Sequence, residues 1–249
     1  MSEALLAARR LTKTYGALKA TDSLSLDVVH GEIHALIGPN GAGKTTAIKQ
    51  LSGEVAPDEG AIHLAGRDIT HRPMHERARL GLARSFQITS VFGGFTAEDN
   101  VAMAVQAHDG HSFRFWRPAR SDPALRGPAR HALEQVGLGP RAGVIARNLA
   151  HGEQRQLEIA MALATSPALL LLDEPMAGMG PDEARRMVAL LGGLKGQVAI
   201  LLVEHDMDAV FALADRVTVL VTGREVATGP PDAIRVDPVV REAYLGEDA

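Results

Sequence analysis

Apolar and polar residues change rhythm several times along this chain, and each rhythm predicts a different element. Residues 23–29 alternate, with Leu24, Leu26 and Val28 on one face, which predicts a half-buried strand in an antiparallel region near the N-terminus. Residues 33–37 read as a buried strand that runs into the glycine-rich 38–43, and 45–51 then suit a helix. Uninterrupted apolar runs at 168–172 and 198–203 predict parallel strands covered on both faces, with helical patterns at 182–191 and 206–214. Between 92 and 163 strand signals vanish and helical ones replace them, opening with a capping-box spacing from Thr96 to Asp99. After Arg216 a short strand pair about Thr222-Gly223 precedes two helical pieces opened by Pro231 and Pro238. The expected fold is α/β: a core with a mostly parallel sheet, an N-terminal antiparallel β region and an inserted helical lobe. We expect a single domain over 1–249, with the α/β core in 1–91 and 164–249 and the helical lobe in 92–163.

Composition narrows the function classes. With 249 residues, 46% of them hydrophobic, the chain can bury a full core. Its 26 Lys and Arg against 30 Asp and Glu leave a formal net charge of -4, so no molecule-wide field draws it to nucleic acid or anionic lipid. Cysteine is absent, which excludes disulfides and thiolate catalysis and fits a reducing compartment. No apolar run approaches the ~20 residues of a membrane span. The N-terminus has no basic segment ahead of an apolar stretch, so no signal peptide is expected.

The chemistry is concentrated in a few short segments. Gly38-Pro39-Asn40-Gly41-Ala42-Gly43-Lys44-Thr45 spells G-x-x-x-x-G-K-[ST] between a strand and a helix, the context that makes this pattern a phosphate-binding loop. Glycines let backbone N–H groups point at phosphate oxygens. Lys44 adds a charge for the outer phosphates, Thr45, followed by Thr46, offers a hydroxyl to Mg²⁺, and the helix start adds its dipole. Leu169 to Leu172 is followed by Asp173-Glu174, two carboxylates at a strand end, where an α/β sheet places its ligand. Asp173 is suited to holding hydrated Mg²⁺ and Glu174 to polarising the attacking water, because phosphoryl transfer needs positioning and charge. These two motifs alone define a P-loop NTPase.

Leu149-Ala150-His151-Gly152-Glu153-Gln154, ahead of a helical run, resembles the signature sequence of ABC ATPases, and Gln87 and His205 fall where that family has its remaining landmarks. The resemblance covers essentially the whole chain. It implies a head-to-tail dimer in which one subunit's phosphate loop and the other's signature, Leu149 to Glu153, hold each ATP. It also implies that Gln87 ligands Mg²⁺ and senses a membrane subunit, that His205 contacts the γ-phosphate and that Tyr15 stacks on adenine. Each role suits the residue: a neutral carbonyl for a hard cation, a donor for developing charge, a flat π-face. Ala150 stands where the signature serine is usual, and Gly180 where an aspartate is common.

Arg84-Ser85-Phe86-Gln87, Val203-Glu204-His205-Asp206-Met207 and Ala243-Tyr244-Leu245-Gly246 are most similar to ATPases of branched-chain amino acid importers that work beside a second, different ATPase. That likeness implies ATP and Mg²⁺ as cofactors, a second ATPase subunit and transmembrane permeases as partners, and indirectly a periplasmic binding protein. It implies a peripheral place at the cytoplasmic face of the inner membrane. ATPases of urea and short-amide importers and of lipopolysaccharide exporters resemble the same pattern. A DNA- or ribosome-directed ABC ATPase would carry two cassettes or a long coiled coil; here there is one phosphate loop and no sustained heptads. A P-loop kinase or GTPase would not need the signature. His108 to His111, with Arg114, Trp116, Arg117 and Arg120, offers neither a full metal-ligand set nor a basic surface in an acidic chain; a solvated hairpin or loop is expected there.

Overall fold

The computed structural model describes residues 4–85, 91–109 and 122–245. In chain order the strands are β1 (Ala4–Tyr15), β2 (Leu18–Val29), β3 (Ile33–Ile37), β4 (Glu59–Leu64), β5 (Arg67–Asp68), β6 (Leu82–Arg84), β7 (Leu169–Asp173), β8 (Ala199–Val203), β9 (Arg216–Val221) and β10 (Arg224–Gly229). The helices are α1 (Lys44–Ser52), α2 (Met74–Arg79), α3 (Ala97–Asp109), α4 (Pro123–Gln135), α5 (His151–Leu163), α6 (Pro181–Leu194), α7 (Met207–Leu213), α8 (Pro231–Val236) and α9 (Pro238–Leu245). The strands form two sheets. β2-β1-β4-β5 is antiparallel, and β10-β9-β3-β8-β7-β6 is parallel except for the β9–β10 hairpin.

All five residues of β3, of β7 and of β8 are buried, as their unbroken apolar runs require of parallel strands covered on both sides. One face of that sheet packs on the antiparallel sheet and α1 through Leu36, Leu169, Leu171 and Leu201. The other meets α3 to α6 through Ile33, Leu170, Leu172 and Ile200. A smaller apolar cluster holds α7, α8 and α9 against β3 and β9, through Ile37, Val210, Val217, Ile234 and Val240. Within 92–163 the described elements are helical, with α3, α4 and α5 packed on one another and a lone bridge between Thr96 and Ile145.

The capping-box expectation at Thr96 is half met. The Thr96 hydroxyl accepts the Asp99 N–H at 3.0 Å, but the Asp99 carboxylate turns to Arg126, a charged partner that outcompetes a neutral N–H. The long β1 strand has no period-2 signature because its pairing with β2 shifts register between Ala8 and Leu11 and Arg10 has φ 49. Such bulges swap the faces of successive side chains.

Candidate nucleotide site

Strand order is what assembles the chemistry. β3, β8, β7 and β6 lie side by side and parallel, so their C-terminal ends share one edge. From that edge emerge the loop 38–43, Glu204-His205, Asp173-Glu174 and Arg84-Ser85. This edge is where open α/β sheets bind ligands.

The loop 38–43 is shaped by its glycines. A Cβ on Gly38, at φ +154, would lie 2.1 Å from the Leu220 carbonyl oxygen, and one on Gly43, at φ +103, would lie 2.0 Å from that of Ala20. Any side chain there would break the turn. α1 then opens without a side-chain cap, so the N–H groups of its first turn keep their bonding capacity for an anion. The buried Lys44 ammonium donates to the carbonyls of Gly38 and Pro39, which holds the charge at the mouth of the loop. At its other end α1 is fixed by Arg77, whose buried guanidinium donates to the carbonyls of Gln50 and Leu51, each at 2.8 Å. Burial lowers the Arg77 pKa to about 10, still well above neutrality, so the donor stays charged.

Asp173 ends β7 almost wholly buried. Burial raises its pKa, the Arg84 charge opposes that, and the neighbouring Glu174 charge adds to it. Its Oδ2 lies 3.5 Å from Arg84 Nη2, while Oδ1 is buried with no hydrogen-bond partner among the described residues. A buried orphan carboxylate oxygen beside the phosphate loop fits a Mg²⁺ ligand, directly or through water. Glu174 has φ 51, in the left-handed region that costs a non-glycine residue of order 1–3 kcal/mol. Its N–H is held by the Val203 carbonyl at 2.9 Å and its own carbonyl by Ala177 N–H at 3.1 Å, bonds that keep the strained turn.

Glu204 joins two of the turns at this edge. It is 1% exposed, and its carboxylate accepts the N–H of Met176 at 2.9 Å and that of His205 at 3.2 Å. Burial pushes its pKa up against those donors. The contact ties the turn after Glu174 to the turn carrying His205, whose side chain is 66% exposed. No spacing rule could have paired Met176 with Glu204. Tyr15, at the end of β1, is 49% exposed with the Lys13 ammonium 5.7 Å from its ring centre. Gln87 and the segment 110–121 lie outside the described residues, as does Gly246.

The signature segment stands apart from this edge. Leu149 is buried, Ala150 is the exposed N-cap of α5, and the Gln154 amide braces the approach by donating to the carbonyls of Ala146 and Leu149 at 3.3 and 3.2 Å. Glu153 accepts the Ala150 N–H at 2.9 Å and pairs with Arg141 at 3.1 Å. Only this half of a capping box forms, because an alanine has no acceptor to return. Ala150, Gly152 and Glu153 line a cavity of about 490 Å³ with Met179 and Glu183, and no residue of the phosphate loop borders it. A Cβ on Gly152 would lie 3.0 Å from Glu183 Oε1, and one on Gly178 3.6 Å from His151. The signature thus packs on the turn 176–180 of its own chain and not on its own phosphate loop.

A family model for the ABC transporter matches residues 21–177, more than half of the chain. The chain belongs to the ABC transporter ATPase family. As such it is an ATP-binding, ATP-hydrolysing cassette, and a second model, for the branched-chain amino acid ATP-binding cassette transporter, matches residues 224–249. It is 40% identical to the high-affinity branched-chain amino acid transport ATP-binding protein BraF of Pseudomonas aeruginosa, over 99% of this chain and 100% of that one. It is 38% identical to the corresponding protein LivG of Escherichia coli, with the same coverage. Among solved structures, the ADP conformation of an ATP-binding cassette of an ABC transporter superposes with a TM-score of 0.86 at 28% identity, covering 98% of this chain and 100% of that one. A nucleotide-free cassette superposes with a TM-score of 0.84 at 27% identity, covering 97% of this chain and 99% of that one.

Proposed function

We propose that this ABC ATPase powers an importer of branched-chain or other hydrophobic amino acids, working beside a second ATPase subunit on a pair of permeases fed by a periplasmic binding protein. The observation that carries the substrate class is the near full-length likeness to BraF and LivG, joined to the match over 224–249. In this reading Gly38 to Thr46 cradle the phosphates, Tyr15 takes the adenine, Thr45, Gln87 and Asp173 hold Mg²⁺, Glu174 polarises water and His205 reaches the γ-phosphate. When bound, Mg²⁺ neutralises charge on the outer phosphates. The separation of the signature from the phosphate loop supports a head-to-tail dimer in which Leu149 to Glu153 complete the partner's site. The division into a core, 1–91 and 164–249, and a lobe, 92–163, belongs to the same reading and is supported by the packing of α3, α4 and α5 on one another.

Among the described residues no helix is long and apolar enough to cross a membrane. The likeness to BraF and LivG supports a place at the cytoplasmic face of the membrane, held there by the permeases. Between β6, α2, α3 and α5 runs an apolar groove of about 270 Å³, bordered by Met74, Ala78, Leu82 and Met161 with Arg84 and Glu158. Ser85 also lines it, and we assign it to the permease. The test is twofold. Lys44→Ala should abolish tight ATP binding in calorimetry without loss of folding, because against the fold it gives up only two bonds to loop carbonyls, while against phosphate it gives up a full charge. The parent chain, co-expressed with the neighbouring permeases, should be retained on membranes and released when Met74→Asp, at a partly exposed position, charges the groove. Equal ATP affinity in Lys44→Ala, or retention unaffected by Met74→Asp, overturns the respective assignment.

A further inference from the structure

The groove and the magnesium carboxylate share one side chain. Arg84 ends β6, and its guanidinium is 5% exposed. One nitrogen pairs with Glu54 Oε2 at 2.7 Å and reaches the Ser52 hydroxyl at 3.1 Å, at the end of α1; the other faces Asp173 Oδ2 at 3.5 Å. Glu54 is held in turn by Lys49 at 3.2 Å. Charges therefore alternate from the end of the phosphate-loop helix to the end of β7: Lys49, Glu54, Arg84, Asp173. Arg84 also borders the apolar groove, so whatever is seated there lies beside this residue.

We infer that Arg84 is a positioning residue between groove and nucleotide site: its guanidinium divides between Glu54 and Asp173, and the share that Asp173 receives sets how much Mg²⁺ the nucleotide site requires. The physical basis is competition. A cation that faces the carboxylate needed by Mg²⁺ stabilises the metal-free site and repels the incoming ion, and its effect depends steeply on distance at this degree of burial. The contacts favour Glu54, at 2.7 Å against 3.5 Å for Asp173, so the balance can move either way. A partner in the groove that draws the guanidinium off Asp173 lowers the Mg²⁺ requirement, and one that presses it inward raises it. This inference rests on the reading of Asp173 as a Mg²⁺ ligand.

The experiment measures the affinity of a non-hydrolysable ATP analogue by calorimetry over a series of free Mg²⁺ concentrations, using the full chain. Arg84→Gln should bring the Mg²⁺ midpoint down about tenfold, the usual effect of removing one close charge, and Arg84→Lys should return it toward the parent. Glu54→Gln, which leaves Asp173 as the stronger partner of Arg84, should move the midpoint up. Opposite shifts from two variants on one side-chain chain are not what a merely structural arginine would produce, since its loss would weaken binding with and without Mg²⁺ alike. Unchanged midpoints, or a uniform loss of affinity in both variants, overturn the inference. Asp173→Asn separates the two failures. If it leaves the Mg²⁺ requirement at the parent's value, the magnesium reading falls and this inference with it; if it shifts the requirement while Arg84→Gln and Glu54→Gln do not, the inference alone falls.

Discussion

Ala150→Ser is the substitution whose outcome bears on both folding and activity. Ala150 is the N-cap of α5, with φ -62 and ψ 160, the extended conformation from which a serine hydroxyl accepts an N–H of the first turn. The side chain is exposed, Gln154 already braces the preceding carbonyls, and Glu153 already supplies the return bond to the Ala150 N–H. A serine would therefore complete the capping box without displacing anything. The expected gain is about 0.5 to 2 kcal/mol of stability, which for a chain of this size raises Tm by roughly 1 to 8 °C. The same hydroxyl would face the ATP held by a second subunit. A hydrogen bond to a charged phosphate is worth about 1.5 to 3 kcal/mol, so ATP-driven dimerisation should strengthen roughly ten- to hundredfold, less whatever is lost when the hydroxyl leaves its cap to meet phosphate. The isolated parent, both of whose composite sites would use the alanine signature, should hydrolyse ATP slowly, and faster with its partner ATPase and permeases. The assays are differential scanning calorimetry without nucleotide, and steady-state hydrolysis of parent and variant, alone and assembled. A higher Tm with unchanged dimerisation would show that Ala150 faces no phosphate. Full activity in the isolated parent, with no response to the hydroxyl, would refute the reading that the alanine signature weakens the composite site.

Three further outcomes follow from other contacts. Glu174→Gln should keep ATP binding, slow turnover by about 10² to 10⁴ and trap an ATP-bound dimer in size-exclusion chromatography; turnover at the parent rate in the assembled transporter removes Glu174 from its role. Arg77→Met leaves the buried carbonyls of Thr70 and Leu51 without their Arg77 donor, and that of Gln50 with only the Gly53 N–H, and should lower stability by about 2 to 4 kcal/mol in urea unfolding; a loss under about 0.5 kcal/mol would contradict that accounting. Glu32 is nearly buried, and although burial raises its pKa, His34, the Val29 N–H and Arg216 outweigh it and hold it at about 2, below its ordinary 4.5. Because the folded pKa is the lower one, this stability is present above about pH 4.5 and is lost as pH falls toward 2, so Glu32→Gln should flatten the acid limb of the stability curve between those values; an unaltered limb means that other carboxylates control it.

Much of the fold was legible because the parallel strands advertise themselves. β3, β7 and β8 are five-residue apolar runs, buried throughout, and a strand sealed on both faces has no room for polar alternation. The phosphate loop was legible for a different reason, since the glycines at 38 and 43 answer to backbone approaches of about 2 Å that no other residue survives. The antiparallel sheet was only partly legible. β1 carries bulges at which the period-2 pattern changes face, and β4 has only its two Leu64-side apolar positions, Ile62 and Leu64, fully turned inward. The tie from Glu204 to Met176, 28 residues apart, and the reach of Arg84 to Asp173, 89 residues apart, depend on strand order, which sets β6, β7 and β8 side by side. A sequence lists such residues without saying which carboxylate meets which arginine.

The central claim is that ATP turnover on this sheet edge drives amino acid import. The direct measurement is uptake of labelled leucine, isoleucine and valine into proteoliposomes holding the chain, its partner ATPase and permeases, with the binding protein on the substrate side and ATP on the other. The account predicts uptake that requires ATP, rises with the binding protein and is lost in Glu174→Gln; uptake of none of the three amino acids by an assembly that hydrolyses ATP, with urea or a short amide carried instead, would contradict it.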